Sequence, residues 1–200
     1  MSTEHVPQHV RIAIRVGEVL DDLGLPHMVC GSIASSIHGE PRSTNDIDFV
    51  VEFGEADIAR IVSALAGEFF VDAEALALAV RSRSSFNAVH RETGVKVDVF
   101  SLRERPFSRQ ELSRRSKKVA APPDRLLSVA TPEDMILTKL EWFRKGGEVS
   151  DRQWRDVCGL LKLQVGNLDE RYLAEWAHTL GVADLLVRAQ RDTGTSGQSP

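Results

Sequence analysis

The chain has 200 residues, an apolar fraction of 42% and a net charge of −4, which suits one domain, or one domain with a helical extension, around a substantial core. No apolar run approaches bilayer length, and the opening MSTEHVPQHVRIAIR lacks the apolar stretch of a signal peptide, so no membrane partner is expected. Only Cys30 and Cys158 are present, without CxxC or HExxH spacing, which excludes a disulfide framework and a zinc motif and makes a cytoplasmic location the expectation.

Residues 8–23 carry helical periodicity through Val10, Ile14, Val16 and Leu20, ended by Gly24-Leu25-Pro26,. His27-Met28-Val29-Cys30 is a short strand that stops at Gly31, and Ser32 to His38 form a short helix with Ile33 and Ile37 on one face,. Gly39-Glu40-Pro41-Arg42 is a turn before a strand from Asp46 to Val51,. A helix follows within Glu55–Phe69, then a strand at Phe69-Phe70-Val71 and a helix from Ala73 to Arg81,. Phe86–His90 and Val95–Phe100 flank Arg91-Glu92-Thr93-Gly94 as a hairpin,. Residues 104–118 are basic and mixed, with no clear period, and Pro122-Pro123 marks a boundary,.

Leu126–Ala130 is a strand candidate. Thr131-Pro132-Glu133-Asp134 starts a helix with a Thr cap, Pro at the first position and acids in the first turn, running to Gly146-Gly147,. Ser150-Asp151-Arg152-Gln153 is a capping box opening a helix to about Leu163,. Helices near 169–180 and 183–191 follow, and the Gly/Ser/Thr-rich end is expected to be disordered,. The expected fold is α+β: a small mixed sheet with flanking helices over residues 1–121, a helical part over 122–192 that packs on it, and a tail over 193–200.

Charge is uneven. Residues 1–80 carry four basic and thirteen acidic side chains, residues 81–118 eleven and four, and residues 119–200 ten and twelve. The basic middle segment suits a polyanion or, more simply, a solvated face.

The chemistry starts at Asp46-Ile47-Asp48. In a strand, alternate side chains share a face, so the two carboxylates project together and repel unless a cation lies between them. A hard divalent ion such as Mg²⁺, or Mn²⁺, takes carboxylate oxygens and keeps positions open for phosphate. The Gly31-Ser32 turn offers backbone N–H groups and a hydroxyl to an anion. Asp98, on an otherwise apolar strand, needs a partner. If its strand neighbours that of Asp46 and Asp48, three carboxylates converge into a two-metal phosphoryl-transfer site.

Gly31-Ser32, the Asp46-Ile47-Asp48 pair and Val97-Asp98-Val99 together resemble the signature of the DNA polymerase beta-like nucleotidyltransferase superfamily. The stretch HGEPRSTNDIDFVV is similar to the small bacterial AbiEii-like toxins, as is TPEDMILTKLEWFRKG followed by SDRQWRDVCGLL, over roughly residues 25–165. The resemblance implies that Asp46 and Asp48 bind both metals. It implies that Asp98 binds the catalytic metal and takes the acceptor proton, and that Gly31 and Ser32 hold the β- and γ-phosphates.

Lys139 lies in the middle of an apolar arc of Met135, Ile136, Leu140, Trp142 and Phe143, with Glu133, Asp134, Glu141, Arg144 and Lys145 opposite,. A lysine there needs an anion or a cleft, and it is expected to reach the triphosphate; the alternative is a stem snorkelling over an apolar rim. Arg152 and Asp156 read as a surface ion pair contributing about 0.3–0.5 kcal/mol, and the resemblance adds a functional role for Asp156. Arg42, near Thr44, is expected to steady a phosphate or the acceptor, or to pair with Glu40. His38 reads as packing at its helix end, Ser35 and Ser36 lack a nucleophile's context, and Trp142 and Trp154 read as core anchors, or as stacking surfaces for a base. The resulting expectation is transfer of NMP from an NTP to an acceptor hydroxyl. The acceptor of such a toxin is tRNA or a protein, with a cognate antitoxin as partner; an antibiotic-type small-molecule transferase and a non-catalytic nucleotide-binding module are the alternatives.

Overall fold

Short apolar runs with period two supply the strands, and longer runs with period 3.6 supply the helices. The computed structural model describes residues 6–39 and 46–195. Arg42 and Thr44, and the end of the tail from residue 196, lie outside the described residues. The chain divides into two compact units, Met1–Ile37 with Arg42–Ala130 and His38–Pro41 with Thr131–Pro200.

The first unit is built on a mixed sheet of seven strands among the described residues, in the order β3-β4-β5-β2-β1-β7-β6. The strands are β1 (His27–Cys30), β2 (Ile47–Val51), β3 (Phe69–Val71), β4 (Ser85–His90), β5 (Lys96–Ser101), β6 (Ser116–Ala121) and β7 (Arg125–Val129). β2 runs parallel to β5 and β1 parallel to β7, while the other neighbours are antiparallel. The helices are α1 (Gln8–Asp22), α2 (Gly31–Ile37), α3 (Ile58–Leu65), α4 (Ala73–Ser82) and α5 (Pro106–Arg114). The expected α+β class is what forms.

Alternation along β2 and β5 separates two faces. Ile47, Phe49, Val51, Val97 and Val99 are buried in the core, while Asp48, Val50, Lys96, Asp98 and Phe100 alternate with them and keep solvent contact,. Helices α1, α3 and α4 contact the strands, and Ile12, Val16, Ile61, Leu65 and Leu76 are buried with Phe49 and Phe69. At about 25 cal/mol per Å² of apolar surface, this burial is the main favourable contribution to folding of the unit.

Two segments differ from expectation. The basic stretch 104–118 forms α5, which starts at Pro106, and β6, which pairs with β7. A proline at the first helical position costs no hydrogen bond, and that was the available signal. β7 pairs with β1 at Val29↔Val129, so the sheet continues beyond Pro122-Pro123 to Val129.

The second unit contains α6 (Pro132–Lys145), α7 (Asp151–Leu163), α8 (Glu170–Thr179) and α9 (Ala183–Thr193). Both caps lie where expected, but the Ser150 box closes on one side only, since Gln153 Oε1 has no hydrogen-bond partner among the described residues. Thr131 accepts from the Asp134 N–H at 3.2 Å and Ser150 from the Gln153 N–H at 3.3 Å, each contributing about 1 kcal/mol. Ile136, Leu140, Val157, Leu160, Leu173 and Leu185 form the core. Helix α9 occupies part of the stretch read as a tail, ending at Thr193.

Helix α6 departs from the simple arc. Glu133, Asp134 and Glu141, expected on a polar side, are buried, whereas Trp142 is exposed. The reason is that α6 contacts both α7 and α8, and the acids find donors at the start of α8 and within α6 itself. Tyr172 Oη donates to Asp134 Oδ1 at 2.5 Å, the Asp169 N–H donates to Glu133 Oε1 at 3.0 Å, and Lys145 Nζ donates to Glu141 Oε1 at 2.8 Å. Hydrogen-bonded acids are tolerated in a core where bare ones are not. Trp154, by contrast, is an anchor as expected: its ring lies 5.1 Å from that of Phe143 and 4.3 Å from the Arg188 guanidinium carbon,.

Candidate active site

The site begins where β1 ends. Cys30 is the antiparallel register partner of Asp48, and the next residue, Gly31, turns into α2 with φ +60°. A Cβ on Gly31 would stand 2.0 Å from Asp48 Oδ2. Two independent constraints therefore demand glycine: left-handed backbone, and a carboxylate lying against the backbone.

The parallel pairing of β2 with β5 sets Asp48 beside Asp98. Their strands are neighbours and the two side chains share a face, so the carboxylates lie about one strand spacing apart, roughly 4.8 Å. Asp46 precedes β2 by one residue and is exposed. On the far side of Asp98, Asn87 of β4 is its register partner. The row across the sheet therefore runs Asn87, Asp98, Asp48, Cys30.

The electrostatics of that row centre on Lys96. Its Nζ lies 3.0 Å from Asp98 Oδ2, because residues two apart on β5 share a face. The Lys96 ammonium is held above the ordinary lysine range, first by the hydrogen bond to Asp98, against some desolvation, and then by the charges of Asp98, Asp46 and Asp48. All three carboxylates thus act on one positive charge. Among the described residues no three His, Cys, Asp or Glu side chains are arranged to hold a metal ion. The donor set nevertheless suits a hard cation: three carboxylates, one of them already bonded to an ammonium within the field of the other two.

Ser32 is 6% exposed, at the first turn of α2. Ser35 and Ser36 donate to the carbonyls of Gly31 and Ser32, each at 3.1 Å, so their hydroxyl protons serve the helix, as the absence of a nucleophile context suggested. His38 is buried, and its carbonyl accepts from Gln164 Nε2 at 2.8 Å.

In the second unit, Lys139 Nζ lies 2.7 Å from Asp156 Oδ2, with the two side chains 16% and 11% exposed. The expected Arg152–Asp156 surface pair is corrected: Arg152 is exposed, while Asp156 is buried between Arg155 and Val157 and faces Lys139. A lysine within an apolar arc required an anion, and α7 supplies it. Helical spacing alone could not identify which acid, because the two residues lie seventeen positions apart. Arg42 lies outside the described residues.

Lys96 was legible only as one of the basic residues, although its i,i+2 relation to Asp98 was an available signal. The basic segment is partly committed internally. Arg83 pairs with Glu104, Lys117 Nζ with Asp21 at 2.6 Å, and Arg91 Nε donates to the Ala66 carbonyl at 3.2 Å. Exposed pairs of this kind contribute about 0–1 kcal/mol each.

Comparison with known proteins completes the picture. The family model described as nucleotidyl transferase AbiEii toxin, Type IV TA system, matches residues 28–189. No curated protein matches the chain. Among solved structures, an antigenic nucleotidyltransferase-like protein from Paracoccidioides brasiliensis is 16% identical, covers 92% of both chains and superposes with a TM-score of 0.55. ANT(2'')-Ia, solved in complex with adenylyl-2''-tobramycin, is 11% identical over 88% of this chain and 98% of its own, with a TM-score of 0.58. At such identities these likenesses establish a shared fold. With the family model spanning most of the sequence, both units included, the chain belongs to the AbiEii nucleotidyltransferase family and is a nucleotidyltransferase.

Proposed function

We propose that this enzyme transfers a nucleoside monophosphate from an NTP to an acceptor hydroxyl, releasing pyrophosphate, as the toxin of a toxin–antitoxin or abortive-infection system in the cytoplasm. The observation that carries the reading is the Asp48↔Asp98 register pairing, with Asp46 beside it and a cation in their common field. The acceptor oxygen attacks the α-phosphorus; that P–O bond forms as the bond to the β-phosphate oxygen breaks, and the acceptor proton passes to Asp98. Asp46, Asp48 and Asp98 would hold Mg²⁺ or Mn²⁺, which supplies charge neutralisation for the triphosphate and acidifies the acceptor hydroxyl. Gly31 and Ser32 contact the β- and γ-phosphates through backbone N–H groups and the serine hydroxyl. Lys139 binds the triphosphate, Asp156 orients it, and Arg42 steadies a phosphate.

The acceptor is a tRNA or a protein, and a cognate antitoxin is the partner. No described helix is long and apolar enough to cross a membrane. A second reading, a small cationic acceptor, draws on the acidic first eighty residues and on the adenylylated aminoglycoside held by ANT(2'')-Ia. Incubation of the enzyme with each labelled NTP, Mg²⁺ and either total RNA, total protein or an aminoglycoside panel separates these. Label on RNA or protein supports the toxin reading. Label confined to aminoglycosides supports the second, and no transfer with any NTP refutes both.

A further inference from the structure

We propose that Lys96 is a built-in occupant of the carboxylate site: its ammonium positions Asp98 in the metal-free enzyme and must be displaced by the incoming divalent cation. The inference rests on the reading above that these carboxylates hold such a cation. Lys96 and Asp98 project from the same face of β5, with Nζ and Oδ2 at 3.0 Å. The cross-strand neighbour of Lys96 on β4 is Val89, which offers its ammonium no acceptor.

The contact has two consequences. Asp48 and Asp98 are register partners, and like charges directly opposite on a sheet destabilise it; a positive charge bonded to one of them relieves that repulsion without a metal. The same contact takes up Asp98 Oδ2, so a cation that uses this oxygen has to break it. The exchange is feasible because the lysine side chain is 46% exposed whereas that of Asp98 is 18% exposed. Once released, the ammonium returns to water and the carboxylate stays where β5 holds it.

The test uses the metal alone. Mn²⁺ affinity of the full chain, free of nucleotide, is measured by calorimetry for wild type, Lys96→Met, Asp48→Ala and Arg91→Gln. The last is a control that removes one exposed charge, committed to the Ala66 carbonyl. Displacement of a half-exposed ion pair predicts Mn²⁺ binding up to roughly five-fold tighter in Lys96→Met, with little change in Arg91→Gln. It also predicts a lower melting temperature for metal-free Lys96→Met that Mn²⁺ restores to the wild-type value. Equal changes in the two charge variants would show only a general field and overturn the proposal, as would unchanged affinity and melting temperature in Lys96→Met. Loss of Mn²⁺ binding in Asp48→Ala upholds the underlying metal site whatever Lys96→Met does. A wild type that binds no Mn²⁺ overturns the metal site and the proposal together.

Discussion

Gly31→Ala is the sharpest perturbation of the site. At φ +60° a residue with a Cβ costs about 1–2 kcal/mol relative to glycine,. For a domain of this size each kcal/mol shifts the melting temperature by roughly 2–4 °C, so strain alone predicts a fall of about 2–8 °C. The second effect is local. The new Cβ would stand 2.0 Å from Asp48 Oδ2, against an ordinary contact of about 3.5 Å, so the carboxylate must move by roughly 1.5 Å. A displacement of about 1 Å in a reacting group can lower a rate by roughly a hundred-fold. Gly24→Ala separates the two effects, because Gly24 has φ +68° but nothing within 4 Å of its would-be Cβ. Thermal melts should show similar losses for both variants. Label transfer from NTP should fall about a hundred-fold or more in Gly31→Ala and stay close to wild type in Gly24→Ala. Wild-type transfer by Gly31→Ala, or equal loss in both, refutes the claim that Gly31 is required by the Asp48 carboxylate.

Other outcomes follow from the same geometry. His27 is buried, its Nδ1 bonds the Leu25 carbonyl at 2.9 Å, and its Nε2 has no hydrogen-bond partner among the described residues. Burial chiefly lowers its pKa, with Lys117 and Arg115 adding to this and the Leu25 carbonyl and Asp21 opposing. A lowered folded pKa means the unfolded chain takes the proton first. Its stabilising contribution is thus complete above the ordinary histidine pKa of about 6.5 and is lost as pH falls below it, by at most about 1.4 kcal/mol per pH unit. Urea midpoints at pH 7.5 and 5.5 should diverge more for wild type than for His27→Leu, and equal divergence refutes the assignment. Asp156→Ala leaves the Lys139 ammonium without its carboxylate in a mostly buried position and should destabilise by about 3 kcal/mol, read by chemical denaturation. Lys139→Met should retain the fold but weaken NTP binding in a thermal-shift titration, and unchanged NTP affinity would return Lys139 to a purely structural pair.

What could be read beforehand follows the range of each interaction. The two aspartate strands were legible because alternation is local: Ile47, Phe49, Val97 and Val99 declare a buried face, and Asp48 and Asp98 must occupy the other. Their adjacency was not, because parallel pairing of β2 with β5 joins segments fifty residues apart, and no local pattern encodes that choice. The same limit explains the buried acids of α6. Asp134 looks like a first-turn surface acid until Tyr172, from α8, donates to it. The helix caps at Thr131 and Ser150 were readable because donor and acceptor are three residues apart. Segment 104–118 was opaque since α5 is only weakly amphipathic and polar throughout, with Phe107 and Leu112 as its main apolar buried residues.

The central claim is that the three carboxylates of one sheet face perform nucleotidyl transfer. The most direct measurement is the initial rate of label transfer from NTP by wild type, Asp48→Asn and Asp98→Asn, with a melting curve for each. Losses of at least roughly a thousand-fold are expected in both variants, with the fold retained. A variant that stays folded and keeps a tenth or more of the wild-type rate would contradict it.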